Sequence, residues 1–166
     1  MAKVIAERVT ARPQGEFVVF IIGMRINRWW KPWKWLPVLL AMPRMLVELG
    51  RNPDLGLLHA RTHAGFPGIM VVQYWKSFAH LHAYATAKDR EHLPAWRAFN
   101  RAVGSGGDVG IWHETYVVAP GSHESVYNNM PPFGLGRSAP LSPATGELGN
   151  AVRRLNGGAG DRQSAA

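Results

Sequence analysis

The stretch Glu16-Phe17-Val18-Val19-Phe20-Ile21-Ile22-Gly23-Met24 leaves a folding chain few choices. After the glutamate it is almost wholly apolar, rich in β-branched and aromatic residues, and bounded by Gly15 and Arg25. Such a run reads as a strand buried on both faces, at the centre of a sheet. Gly23 near its end predicts a bulge or a close approach of another group to the backbone. What remains is to find its pairing partners and the layer that covers it.

Three further strands are readable. Leu55–Ala64 alternates, with His59, Arg61 and His63 on one face and Leu58, Ala60 and Thr62 on the other. Gly65-Phe66-Pro67-Gly68 supplies turn chemistry, and Ile69–Trp75 returns as the second arm of a hairpin. Val109–Val118 is the fourth, an apolar run read as buried that carries His113-Glu114 in its middle. Between the first strand and the hairpin, the apolar spacing predicts a helix over Leu36–Leu49, stopped by Gly50. Pro37 is tolerable in its first turn, whereas Pro43 is expected to kink or interrupt it. Ser77 can cap a helix carrying Phe78, Leu81 and Ala85. A second helical piece begins near His92, with Pro94 in its first turn and His92, Trp96, Phe99 and Val103 on one stripe. The order strand, helix, strand, strand, helix, strand predicts an α+β, ferredoxin-like βαββαβ fold with an antiparallel four-stranded sheet and helices on one face. The sheet's other face needs a cover, and a symmetric homodimer is the usual one. Residues 16–137 form this domain, 1–15 a lead-in, and 138–166 a Gly/Ala/Ser/Arg-rich tail expected to be mobile or to lie along a surface.

Composition narrows the functional classes. The chain of 166 residues has no cysteine, which excludes disulfides and thiolate metal sites. An early charge break at Lys3 and Glu7 leaves no secretory apolar segment, so a cytoplasmic location is expected. The net charge of +8 is concentrated between Arg25 and Arg51, where six basic residues face only Glu48. No repeat or motif places those charges along a groove-reading helix, and no nucleic-acid partner is expected. The same segment holds Trp29, Trp30, Trp33 and Trp35, interleaved with Arg28, Lys31 and Lys34 and read as a loop framed by Pro32 and Pro37. These tryptophans either close one end of a pocket or a subunit contact, the preferred reading, or make a peripheral membrane contact. The helix that follows is too short and too broken by proline to span a bilayer.

The residues with chemical capacity are few. Alternation puts His113 and Glu114 on opposite faces of their strand, so they cannot work side by side as an acid–base dyad. One faces the helix-side cavity and the other the opposite sheet face. None of the seven histidines forms a metal-protease pattern, and His80 and His82 point to different faces of their helix. His92, on the apolar stripe beside Trp96, reads first as a capping histidine bonded to backbone and second as a ligand for haem iron. No nucleophile elbow, phosphate loop or dinucleotide fingerprint is present.

Four motifs carry a resemblance: Tyr74-Trp75-Lys76-Ser77, His92-Leu93-Pro94-Ala95-Trp96, Ile111-Trp112-His113-Glu114-Thr115-Tyr116, and Tyr127-Asn128-Asn129-Met130-Pro131-Pro132-Phe133-Gly134-Leu135-Gly136. Over about residues 10–137 the chain resembles a small monooxygenase-like family with a polyketide-pathway branch, within the dimeric α/β-barrel superfamily. The resemblance implies a homodimer with a small-molecule pocket between sheet and helices in each subunit. It implies either cofactor-independent oxygenase chemistry or a haem protein, so the cofactor is none or haem. In the first case Trp75, His82, Trp96, Trp112, Tyr116, Tyr127 and Asn129 would shape the pocket for an apolar or aromatic substrate, and His113 or Glu114 would move a proton. In the second, His92, or in its place His82 or His113, would hold the iron. A third reading is a non-catalytic ligand-binding or membrane-docking dimer.

Overall fold

The run predicted as the central strand is β2 (Phe17–Ile26), and it does lie inside the sheet. The computed structural model describes residues 3–90, 92–104 and 106–155, apart from the side chains of His92, Leu93 and Ala102. These residues form two compact units, one of Val18–Tyr116 and one built from the described parts of Met1–Phe17 and Val117–Ala166.

In the first unit β2 is followed by helix α1 (Pro32–Arg51), the hairpin β3 (Leu57–Gly65) and β4 (Gly68–Trp75), helices α2 (Phe78–Thr86) and α3 (His92–Ala102), and strand β5, which spans Val109–Val118. The sheet order is β3-β4-β2-β5. β4 is antiparallel to both β2 and β3, with Ile22 opposite Val71 and Thr62 opposite the same residue from the other side. This is the ferredoxin-like antiparallel sheet that the element order predicts, and within one chain it is open rather than closed into a barrel.

Alternation along β2 sends Val18, Phe20, Ile22 and Met24 towards the helices. At one end Val18 packs with Leu49, Trp75, Leu81 and Tyr84; at the other Met24 and Ile26 pack with Val103 and Val109, supported by Trp35, Val38 and Leu39. Trp75 is 1 % exposed and its indole N–H donates to Gln73 Oε1 at 2.9 Å, so the one polar atom of the ring is satisfied inside the core. Ser77 caps α2 through its hydroxyl, which accepts the backbone N–H of His80.

Three expectations need correction. Helix α1 is continuous through Pro37 and Pro43 and starts earlier, at Pro32, so Trp33 and Trp35 are helical and only Trp29 and Trp30 sit in the preceding turn. Pro32 fits the first helical position, where no intrahelical N–H is needed. Pro37 and Pro43 are both exposed, while Val38, Leu39, Met45 and Leu49 anchor the helix through burial. Propensity yields to packing here. Next, β5 is an edge strand, not a buried one: Trp112 through Val117 are all exposed. Its His-Glu pair therefore sits where water can solvate charge, and no buried partner is required.

The third correction concerns the chain ends. In the second unit β1 (Val9–Ala11), in the stretch read as a lead-in, pairs antiparallel with β6 (Leu141–Pro143), in the stretch read as a tail. Ile5 and Val9 also bridge to Met130 and Tyr127. A short helix α4 (Ala151–Leu155) places the buried Arg154, whose Nε donates to Glu124 Oε1 at 2.7 Å and whose Nη1 donates to the Leu148 carbonyl. Charge-assisted bonds of this kind let a guanidinium be buried. The rest of the predicted tail, 156–166, lies outside the described residues.

Candidate functional site

Between the sheet and helices α1, α2 and α3 of the first unit lies a cavity of about 1050 Å³. The sheet contributes the helix-facing residues of its strands: Phe20, Ile22 and Met24 from β2, Thr62 from β3, Ile69 and Val71 from β4, and Ile111, His113 and Thr115 from β5. The helices contribute mainly aliphatic and aromatic side chains, among them Val38, Leu40, Met42, Phe78, Leu81, Trp96 and Phe99. Most small-molecule sites have this character, an apolar concavity with a few placed polar groups; here it is open, with Leu40, Phe78, Trp96, His113 and Thr115 exposed along its walls.

Those polar groups are His82 and His113, the hydroxyls of Thr62, Thr86 and Thr115, and the cations Lys34, Arg44 and Arg101. No carboxylate is among the described lining residues. Each histidine lies beside a phenylalanine: His113 and Phe20 have ring centroids 5.6 Å apart, and His82 and Phe78 5.9 Å apart. Neither imidazole is hydrogen-bonded to a described residue, which leaves its nitrogens available to a ligand. Trp96 stacks on Phe99 at 5.8 Å and closes the α3 side.

Strand alternation separates the predicted pair as expected, and the structure decides which member meets the cavity. His113 does; Glu114 is on the other sheet face with Trp112 and Tyr116. There the Tyr116 hydroxyl donates to Glu114 Oε2 at 2.6 Å, and this bond to the carboxylate holds the phenol pKa above its ordinary value. Trp112 lies over Gly23, where a Cβ would come within 2.7 Å of the indole. The close approach predicted for Gly23 is thus to a tryptophan ring.

The remaining candidates divide. His82 and Trp96 line the cavity. Trp75 does not: it is a core residue packed on Tyr84 at a ring separation of 5.9 Å. Its strand faces the helices, but at the end filled by Leu49 and Leu81, where no space is left. Tyr127 and Asn129 belong to the second unit. The Tyr127 hydroxyl accepts the Gly136 N–H at 3.0 Å, and Asn129 takes a left-handed φ of 52°, which asparagine tolerates better than most residues. Also in that unit, burial holds the His123 imidazole below its ordinary pKa, and its ring meets Phe17 edge-on at 5.5 Å. The His92 side chain, the first candidate for haem iron, lies outside the described residues. Thr115 and the phenylalanines behind the histidines are members the motif reading missed. Thr115 was reachable from alternation alone, two residues after His113 on the same face.

Comparison with known proteins gives the chain a family. The sequence profile of the Monooxygenase af470-like family matches residues 17–135. The chain belongs to that family. Monooxygenase af470 of Aspergillus fumigatus is 29% identical over 165 residues, an alignment covering 82% of this chain and 56% of that protein. The chain thus spans about half the length of the relative it matches. Among solved structures, SnoaB from Streptomyces nogalater, a cofactor-independent oxygenase, overlays with a TM-score of 0.44 at 10% identity, covering 61% of this chain and 91% of SnoaB. A dimeric ferredoxin-like protein of unknown function from Jannaschia sp. overlays with a TM-score of 0.41 at 18% identity, covering 58% and 97%. The family match spans the whole first unit, cavity walls included.

Proposed function

We propose that this member of the Monooxygenase af470-like family oxygenates an apolar or aromatic small molecule inside the sheet–helix cavity, with His113 moving the proton. The observation that carries the reading is the placement of a non-hydrogen-bonded imidazole in the wall of a large apolar cavity. A substrate with an activated methylene suits such a site, because its acidity needs only one well-placed base. His113 takes a proton from the methylene carbon, the resulting carbanion passes one electron to dioxygen, and the carbon radical and superoxide so formed combine to make the carbon–oxygen bond of a peroxide anion. The imidazolium returns the proton to the peroxide, which loses water to leave a carbonyl. The substrate supplies both electrons needed to reduce the second oxygen atom to water, so no further reductant enters. Thr115 is suited to orienting the substrate oxygen, while Phe20, Phe78 and Trp96 supply apolar contact.

A haem reading has one specific support, that His82 and His113 both line the cavity and each carries a nitrogen able to ligate iron. The proposal also includes a second copy of the chain against the sheet face that carries the exposed Trp112 and Tyr116.

Dioxygen uptake with anthrone, a planar aromatic probe with one activated methylene, tests the main reading. The wild type consumes one dioxygen per anthrone oxidised, and His113→Ala lowers kcat/KM by about 100-fold or more, the usual range for a lost general base. Unchanged turnover in His113→Ala would sink the role of His113. A haem absorption band in the purified protein that persists in His113→Ala and vanishes in His82→Ala would move the site to the haem reading.

A further inference from the structure

The tryptophan-rich segment is not used by the cavity chemistry, yet it is built with care. Trp29 stacks on Phe66 at the tip of the β3–β4 hairpin, with ring centroids 5.3 Å apart and planes 6° from parallel. Trp35 meets Trp29 edge-on at 5.9 Å, and its indole N–H donates to the Trp29 carbonyl at 3.2 Å. The turn is clamped from below: Arg28 Nη1 and Lys31 Nζ both donate to Asp108 Oδ1, at 2.7 and 3.0 Å. Two segments distant in sequence thus hold their aromatic rings together in one fixed place. Two of those rings, Trp29 and Phe66, are exposed, and so are Trp30 and Trp33 beside them in the chain. Phe66 is 85% exposed, Trp30 69% and Trp33 64%. Exposed aromatic rings on one short segment, tied by a ring stack to a hairpin tip and accompanied by cations, mark an interaction surface.

We infer that this platform, the Arg28–Lys34 turn with the Phe66 hairpin tip, docks the protein on an anionic lipid bilayer. Tryptophan prefers the headgroup zone, where its ring is shielded and its N–H stays hydrogen-bonded. Arg25, Arg28 and Lys31 set three positive charges against the carboxylate of Asp108, an excess of two in the segment that carries the exposed rings. That sign matches an anionic leaflet. It disfavours a second copy of the same patch, because a two-fold contact would place like charges against each other. Helix α1 runs from the platform into the cavity wall, where Lys34, Pro37, Val38, Leu40 and Ala41 line the space. An apolar substrate dissolved in the lipid would therefore meet the cavity wall beside the docking surface, a consequence that rests on the proposed function. The docking itself does not.

Sedimentation of the full chain with vesicles tests the inference without reference to turnover. Phosphatidylcholine vesicles are compared with vesicles of about one-third phosphatidylglycerol. Two excess charges at about 1 kcal/mol each correspond to roughly 30-fold stronger partitioning into the anionic set. Salt at about 0.5 M should remove most of that gain. The variant Trp30→Ser/Trp33→Ser/Phe66→Ser should lose at least about 10-fold in binding while keeping its circular dichroism, with Tm lowered only by the loss of the Trp29–Phe66 stack. Brominated lipid should quench wild-type tryptophan fluorescence and quench this variant far less. Absence of wild-type binding to anionic vesicles at low salt overturns the inference, as does equal binding by the triple variant. So does a wild-type oligomer that the triple variant dissociates while neither protein binds vesicles, because the patch would then be a contact between copies.

Discussion

Trp75 distinguishes the core of this fold from its cavity. The ring is 1% exposed among Val18, Leu49, Leu81 and Tyr84, and it satisfies Gln73 Oε1, itself on a residue 4% exposed. Trp75→Phe removes part of the ring, at a packing cost of about 1–2 kcal/mol by analogy with other large-to-small core changes. It also strands the Gln73 carbonyl oxygen, at about 1–3 kcal/mol. The expected loss is roughly 2–5 kcal/mol, read as a lower urea midpoint at constant slope. Gln73→Met in the same background removes the orphaned acceptor. The double variant should therefore recover part of the loss, with a coupling above about 0.5 kcal/mol. Anthrone affinity per folded molecule should stay within about two-fold of wild type. If Trp75→Phe is stable to within about 0.5 kcal/mol and instead weakens ligand binding, the ring belongs to the pocket and the core placement is wrong.

Three further outcomes follow from the geometry. Lys31 and Arg28 hold the Asp108 pKa below its ordinary value, so this carboxylate contributes stability above the unfolded-state pKa of about 3.9 and loses it as pH falls through the lower folded value. Asp108→Asn should remove that part of the acid dependence and shift the emission of the neighbouring tryptophans at neutral pH, both followed by fluorescence. Glu114→Gln removes the charge that raises the Tyr116 pKa, so one phenol should titrate closer to pH 10 in an ultraviolet titration; an unchanged curve would argue against the 2.6 Å contact. Gly50 near the end of α1 has open space at its Cβ position, and Gly50→Ala should stabilise by about 0.5–1 kcal/mol, whereas at Gly68 a Cβ would lie 2.1 Å from the Met24 carbonyl oxygen, so Gly68→Ala should fail to yield a folded hairpin; thermal melts compare the two.

What could be read from the sequence was set by periodicity. Phe17–Met24 and Val109–Val118 announced themselves as strands through β-branched and aromatic density, and their order with the helices gave the sheet. Periodicity could not say that β5 lies at an edge, because an apolar run looks alike in a central strand and in an edge strand that awaits a partner. Nor could it say that α1 runs through two prolines, since that depends on tertiary burial of Val38, Leu39, Met45 and Leu49. Alternation separated His113 from Glu114, but only the position of the helices shows that His113 is the one beside Phe20 in the cavity wall. The stacking of Phe66 on Trp29 joins residues far apart in sequence through a hairpin, and no local pattern encodes it.

The central claim is that a small apolar molecule occupies the cavity walled by His113, and equilibrium binding of anthrone tests it most directly. Ala41 on α1 lines that cavity, so Ala41→Trp fills the space from the helix side without touching His113's strand. With the fold confirmed by circular dichroism, anthrone affinity should fall by about 10-fold or more, the effect of roughly 1.4 kcal/mol of lost contact. Affinity equal to that of the wild type would contradict the account and place the ligand elsewhere.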